Sequence, residues 1–523
     1  MKFKKLISIL LVAITMISFT ACGNLNSSSS DVKEATGETG GNIIVPLDNE
    51  PSIINPAFIT TDEEMLVSNI VYSPLYVCSG GKIITYLAYS VDFKEDKELT
   101  IELRKDLKWH DGIQITSDDV VYTLNLILDE KQNSLLRESL LINGEPIKVE
   151  KVDKLTVKIT LPTKNAGFVN NLCGISPVPK HIYEGEELVM VSEKNNTPIG
   201  SGPFKFKEWK KGESIIFERF DEYYSGNPNA DMITMKIMPN KTEQEKAFKN
   251  GEIALMRGSS EFYNKSKDDE NLQTYTHSGG RLNYIVFNQN TEAMKDLNFR
   301  KSIAYALDRN AMIKSAYGDE SFVGAISILI PQADYYTDTK VEGYAQDLEK
   351  SKTLLKESEV SVDKIKIGYD KEAFGHKDYA LVVQQQLKEI GIDTEIVNYE
   401  SEVFSKILYG GGTECDLYIN GYNLGLDVNA YRRMFETGSF YNKTGYSNPE
   451  VDKLWNKGFN ESDGEKRKEI YRDIQLKIAE DAVIYPIDYE EILMIAQKNL
   501  KGIDKAIPKG MIMFEDWSKL YIK

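Results

Sequence analysis

The chain has 523 residues and carries 80 acidic against 63 basic side chains, a formal net charge of −17. A surface that negative repels phosphate backbones, so nucleic acid is not expected as a partner, and anionic lipid is not bound through charge alone. Hydrophobic residues at 41% with charged residues at 27% exclude a disordered or fibrous chain, and the length points to about three lobes. Cysteine occurs only at 22, 78, 173 and 415 and histidine only at 110, 181, 277 and 376. That spacing excludes a disulfide-dense scaffold and a CxxC metal or redox site.

The N-terminus opens with Lys2, Lys4 and Lys5, followed by the uncharged run LISILLVAITMISFTA. This run is shorter than the roughly 20 apolar residues of a membrane-spanning helix and has the layout of an export signal over residues 1–21. Its end, Phe19-Thr20-Ala21-Cys22-Gly23, resembles a bacterial lipobox, with Phe19 where Leu is usual; the resemblance implies cleavage before Cys22 and a diacylglycerol on that cysteine. Residues 22–40 are rich in Ser, Gly, Thr, Asn and Glu, a flexible tether with almost nothing to bury. The reading is a body held outside the cytoplasmic membrane by acyl chains. The three other cysteines are expected to be buried and inert.

Beyond the tether, residues 43–46 form a short apolar strand, and Leu66, Ile70 and Val71 make one stripe of a helix over 65–76. LTIEL at 99–103 alternates as a half-buried strand, and Trp109-His110-Asp111-Gly112 is a turn. Thr116 caps a helix running to Asp129, with acids in its first turn. Residues 149–161 read as two strands about a turn at Asp153-Lys154, and Pro198–Phe204 leads into another pair ending near Arg219. Further helices are predicted over 298–314, 379–390, 449–455 and 465–481, with strands at 284–287 and 393–397. Strands alternate with helices almost throughout, so the fold class is α/β in several lobes.

Catalytic patterns are missing: there is no GxSxG, HExxH, GxxxxGK[ST] or GxGxxG. Gly410-Gly411-Gly412 reads as a loop, His110-Asp111 as a turn whose histidine bonds locally, and Glu490-Glu491 as a solvated face. No enzyme and no cofactor is expected.

Several segments resemble, in order, the family 5 extracellular solute-binding proteins of ABC importers, the oligopeptide- and dipeptide-binding group. Ile70-Val-Tyr-Ser-Pro-Leu-Tyr76 is similar to that family's IYEPL segment, and LTIELRKDLKWHDGIQITSDDV (99–120) to its most specific stretch. PIGSGPF (198–204), RFDEYY (219–224), NFRKSIAYALDR (298–309), GYNLGLD (421–427) and GYSNPEVD (445–452) continue the series to the C-terminus. The resemblance implies a type II periplasmic-binding-protein fold with two main lobes, a hinge, and an extra domain inserted in lobe I. Lobe I would collect 41–85, 197–287 and 490–523, the extra domain 86–196 and lobe II 288–489.

It also implies a ligand. Such proteins close two lobes on a solute, and an extended peptide pairs its backbone with strand edges in the cleft. Asn420, Gly421, Tyr422, Asn423, Leu424 and Gly425 would supply the lobe II edge, with the Tyr422 ring beside the ligand. The position that holds a peptide ammonium in well-known members falls at Leu424 or Gly425, and Asp427 stands just beyond. Asp427 is therefore either the ammonium partner or the cap of a helix near Tyr431. Arg281 and Asn288 flank the strand at the crossing into lobe II and are further candidates, equally suited to structural bonds across the hinge. The expected partners are an oligopeptide, the transmembrane subunits of an ABC permease and, through Cys22, the membrane, with the protein a monomer on the extracytoplasmic face. A nickel or metal-chelate binder, or an oligosaccharide binder, is the alternative on the same fold.

Overall fold

Three sheets of four or six strands, besides small two-stranded ones, and three apolar clusters organise the described residues of the computed structural model. It describes residues 40–523 apart from 80–81, 320–321, 323, 334, 359, 363, 426–427, 462, 511 and the side chain of Tyr409. The expected export signal (1–21), Cys22 and all but the last residue of the expected tether lie outside the described residues.

The first sheet places Asn42–Leu47 parallel to Met232–Ile237, then Ser214–Arg219 and Phe204–Lys210 antiparallel. The second orders Ala88–Lys94, Glu98–Leu103, Thr156–Thr160 and Lys148–Lys151. The third has six strands in the order Leu255–Arg257, Ile484–Gln497, Leu272–Phe287, Leu417–Tyr422, Ile365–Asp370 and Thr394–Tyr399. Side chains on a strand point alternately to its two faces. Ile285 and Phe287 accordingly enter one core, whereas Leu282, Tyr284 and Val286 enter another. On Ile484–Gln497 the same alternation sends Met494 and Ala496 into the first cluster and Leu493 and Ile495 into the second.

The motifs of the first half act as stitching. The helix Asp62–Val71, capped by Thr61 and Glu64, ends against Pro198–Phe204: Gly202 N donates to Val71 O at 2.7 Å. His110 joins the same turn, its backbone N donating to Gly200 O (2.9 Å) and its Nδ1 accepting from Gly200 N (3.2 Å). Burial holds its pKa down at about 4, so the ring is a neutral scaffold element. Thr116 caps Ser117–Leu128 with Asp119 completing the capping box, as the hydroxyl-acid pattern predicts.

Several predicted elements differ in extent: the strand expected over 284–287 is Leu272–Phe287, and the helix expected over 449–455 continues to Asn460. The first helix spans Asp62–Val71 and stops before Tyr72, because Pro74 admits no helical continuation and Tyr76–Ser79 is a strand. The single helix expected over 298–314 is two, Leu297–Ala306 and Arg309–Tyr317. Asp308 divides them by turning its carboxylate onto the amides of Asn310 and Ala311 (2.9 and 3.3 Å), a new N-cap where apolar periodicity alone runs on. Arg300 in the first of the pair is buried, giving its guanidinium to the carbonyls of Met294, Lys295, Asp481 and Ala482.

Gly200 and Gly202 leave no space for a side chain. A Cβ on Gly200 would stand 2.0 Å from Val71 O, and one on Gly202 2.6 Å from Ile70 O. Gly200→Ala must push the two backbone segments apart, and we expect a loss of about 2–3 kcal/mol in urea unfolding. A variant within about 0.5 kcal/mol of the parent would show that the contact yields freely.

Candidate functional site

The two longest strands, Leu272–Phe287 and Ile484–Gln497, pair antiparallel along most of their length and lose register twice, between Ser278 and Leu282 and again between Asn283 and Tyr284. Ser278 pairs with Glu491 and Leu282 with Tyr489, so Gly279, Gly280 and Arg281 bulge against Glu490. Gly280 sits at φ 70, a left-handed conformation that glycine takes without strain. The bulge frees peptide groups and aims two charges inward: Arg281 Nε lies 3.6 Å from Glu490 Oε2.

Two further charged groups complete the set. Asp62 begins the helix Asp62–Val71 and lines an open groove of about 40 Å³ with Glu63, Arg257 and Met513. Arg257 ends a short strand and donates to Gly510 O at 3.4 Å. Burial raises the Glu490 carboxyl, while Arg281 and Arg257 oppose the rise and Asp62 adds to it. Burial likewise raises Asp62, opposed by Arg257 and Arg281. Two arginines and two acids thus share one field on either side of the strand crossing, a neutral set able to exchange partners with a ligand's own charges. Glu490 was expected on a solvated face; it is half-buried because the bulge turns it toward Arg281.

Behind this set lies Asp488, 1% exposed. It accepts from Tyr317 OH at 2.8 Å, Tyr379 OH at 2.9 Å and Asn283 Nδ2 at 3.4 Å. His376, at the start of His376–Glu389, is buried, and neither ring nitrogen has a hydrogen-bond partner among the described residues. Burial, and then Arg281, depress its pKa to about 3, so the ring is neutral. Nothing in local sequence marks Asp488 or His376; Tyr379, on the helix that His376 begins, reaches Asp488 through its hydroxyl.

The sequence-predicted residues divide. Gly421 pairs with Asn283, and a Cβ on it would collide with Arg281 Nε and approach Asn283 Oδ1 to 2.6 Å, so glycine here makes room for the arginine. Asn423 is exposed beside the bulge, its Nδ2 3.4 Å from Gly279 O. Strand Ile365–Asp370 pairs with Leu417–Tyr422 only as far as Ile419, so Asn420, Gly421 and Tyr422 have a neighbour strand on one side alone among the described residues. Arg281, Gly421 and Asn423 are therefore together at the crossing. The other side chains are engaged elsewhere. Asn420 Nδ2 donates to Tyr284 OH at 3.1 Å. Tyr422 is 6% exposed, donates its hydroxyl to Ile328 O, and packs against Tyr284 and Tyr431 at ring distances of 5.0 and 5.6 Å. Leu424 packs on the same cluster, and Gly425 accepts from Tyr431 OH at 2.9 Å. Asn288 is buried seven residues along the strand from Arg281, roughly 23 Å away, donating to Gly412 O and Cys415 O. Asp427 lies outside the described residues.

Burial pushes Asp488 from 3.8 to about 6, against the bonds from Tyr317 and Tyr379. The folded chain then keeps a proton that the unfolded chain has lost, so stability falls as pH rises from about 4 to about 6 and levels above, by about 3 kcal/mol in all. Asp488→Asn should flatten that stretch in urea titrations across this range, and an unchanged slope would assign it to other groups.

Comparison with known proteins places this geometry. The description of bacterial extracellular solute-binding proteins, family 5, matches residues 82–442. The structure of AppA from Clostridium difficile is 56% identical and covers 92% of this chain and 100% of its own, with a TM-score of 0.88. The ABC transporter substrate-binding protein CtaP of Listeria monocytogenes is 38% identical over 93% of this chain and 100% of its own, with a TM-score of 0.89. The oligopeptide-binding protein AppA of Bacillus subtilis, solved in complex with a nonapeptide, is 27% identical over 93% and 99%, with a TM-score of 0.74. The fold is the type II periplasmic-binding architecture these proteins share, and this chain belongs to the bacterial extracellular solute-binding proteins, family 5.

Proposed function

We propose that the chain is the lipid-anchored, extracytoplasmic substrate-binding component of an ABC importer that captures oligopeptides between two lobes and delivers them to a permease. The observation that carries this reading is the one-sided strand 420–422 beside the Arg281 bulge: an unpaired edge accepts an extended backbone without regard to its side chains. Similarity to a protein solved with a nonapeptide supports the same class of ligand. In this reading lobe I comprises 41–85, 197–287 and 490–523, the extra domain 86–196 and lobe II 288–489, the lobes closing about Gly279–Arg281.

Backbone groups of Asn420, Gly421, Tyr422, Asn423, Leu424 and Gly425 would pair with the peptide, while Arg281 takes a carboxylate or carbonyl and Asp427 the ammonium. Asn288 is assigned to holding the loop at 412–415 through its bonds to Gly412 and Cys415. The protein works as a monomer that binds and does not transform its ligand, tethered through Cys22.

Native mass spectrometry of the protein purified without refolding tests the ligand class. Co-purified masses that fragment as peptides are the expected result; a single adduct with a nickel isotope pattern, or hexose-spaced masses, would replace the peptide reading with a chelate or oligosaccharide one. Asp427→Ala should weaken free-amine peptides by about tenfold and leave N-acetylated ones unchanged in calorimetric titration. Equal losses for both would remove Asp427 from ammonium binding.

A further inference from the structure

Cys78 and Cys173 are 95 residues apart in sequence and adjacent in space: the backbone N–H of Cys78 donates to Cys173 Sγ at 2.8 Å. Their segments run alongside each other. Leu75 N donates to Ile175 O and Gly174 N to Tyr76 O, each at 2.9 Å, two backbone bonds immediately beside the cysteine pair. The 2.8 Å approach sets Cys173 Sγ directly against the Cys78 backbone, the kind of proximity that closing a disulfide requires. Cys78 is 7% exposed, whereas Cys173 is half-buried, following the helix Phe168–Asn171. The expectation that the cysteines beyond Cys22 are inert therefore fits Cys415, buried beside Tyr399, better than this pair.

We propose that Cys78 and Cys173 are a redox-active pair that closes to a disulfide once the chain meets a disulfide oxidant outside the cytoplasm, with Cys173 as the attacking thiol. Exported proteins of this family work where disulfides persist. The Cys173 thiol has the chemistry for attack: hydrogen bonding from the Cys78 thiol and amide lowers its pKa, with Lys509 assisting. In the first step the Cys173 thiolate attacks one sulfur of the external disulfide; that S–S bond breaks, and the departing thiolate takes a proton. Cys78 then loses its proton and attacks Cys173 Sγ, expelling the second thiolate. Two protein thiols are oxidised and one external disulfide is reduced to two thiols.

The bond would join the strand Tyr76–Ser79 to the end of Phe168–Asn171. It would close the loop that carries the sheet of Ala88–Lys94, Glu98–Leu103, Thr156–Thr160 and Lys148–Lys151. Cross-linking a loop of that length restricts the unfolded chain far more than the folded one. The inference is independent of which solute the cleft holds.

The test is to titrate the purified full chain with oxidised glutathione, alkylate under denaturing conditions without reductant, and map the peptides by mass spectrometry. A peptide linked through Cys78 and Cys173, with Cys415 alkylated, is the expected result, together with a rise of several degrees in thermal midpoint that dithiothreitol reverses. Cys78→Ser should trap glutathione on Cys173, whereas Cys173→Ser should leave Cys78 unmodified. Two alkylated cysteines at every glutathione ratio, glutathione on both without a link, or a link from either to Cys22 or Cys415 would overturn the proposal. The peptide map of the parent chain decides the matter even where a variant fails to fold.

Discussion

Everything in this molecule depends on two strands that belong to more than one core. Leu272–Phe287 and Ile484–Gln497 lie far apart in sequence and pair antiparallel, so their ladder ties distant regions of the chain at one place. Their alternating faces feed all three apolar clusters. A pair so committed cannot slip by one residue without exchanging every buried side chain for an outward one. The larger of its two irregularities, at Gly279–Arg281, is correspondingly informative: it is where backbone groups and charges are released from the ladder.

The electrostatics of the crossing follow from that release. Arg281 and Glu490 are partly withdrawn from water, and Asp62 and Arg257 share their field. Partial burial raises the cost of leaving any of these charges unpartnered, yet their mutual pairing at 3.6 Å is loose enough to be exchanged. Asp488 behind them is fully enclosed and held by two tyrosine hydroxyls and an amide, a polar network that fixes the strand crossing against two helices. A site built this way combines a rigid wall with adjustable charges, which suits ligands that share a backbone and differ in side chains.

The first half of the chain is built the other way. Its most recognisable motifs, the HDG turn and the glycine-rich PIGSGPF segment, bond mainly to one another and to the end of the helix Asp62–Val71. Their residue types are dictated by close backbone approach, as the absence of room at Gly200 and Gly202 makes plain. The motifs of this half are scaffold, whereas GYNLGLD in the second half brings Gly421 and Asn423 to the crossing.

What was legible in the residues was local: the cap at Thr116, the alternating strand Glu98–Leu103, and the ordered motifs that led to the family. Each depends on interactions within a few positions, so the information needed lies in a short window. The division of a helix at Asp308 was missed because capping competed with periodicity there. Tyr422 looked like a cleft aromatic, but strand register turned its side chain into the core beside Tyr284. Glu490 looked solvated, and a bulge opposite it, on a strand two hundred positions away, set it against Arg281. The adjacency of Cys78 and Cys173 has no local signal at all. By itself the sequence determined most of the elements and the family. Which side chains face the cleft was decided only by tertiary structure, because one residue of register, set by partners far along the chain, exchanges the two faces of a strand.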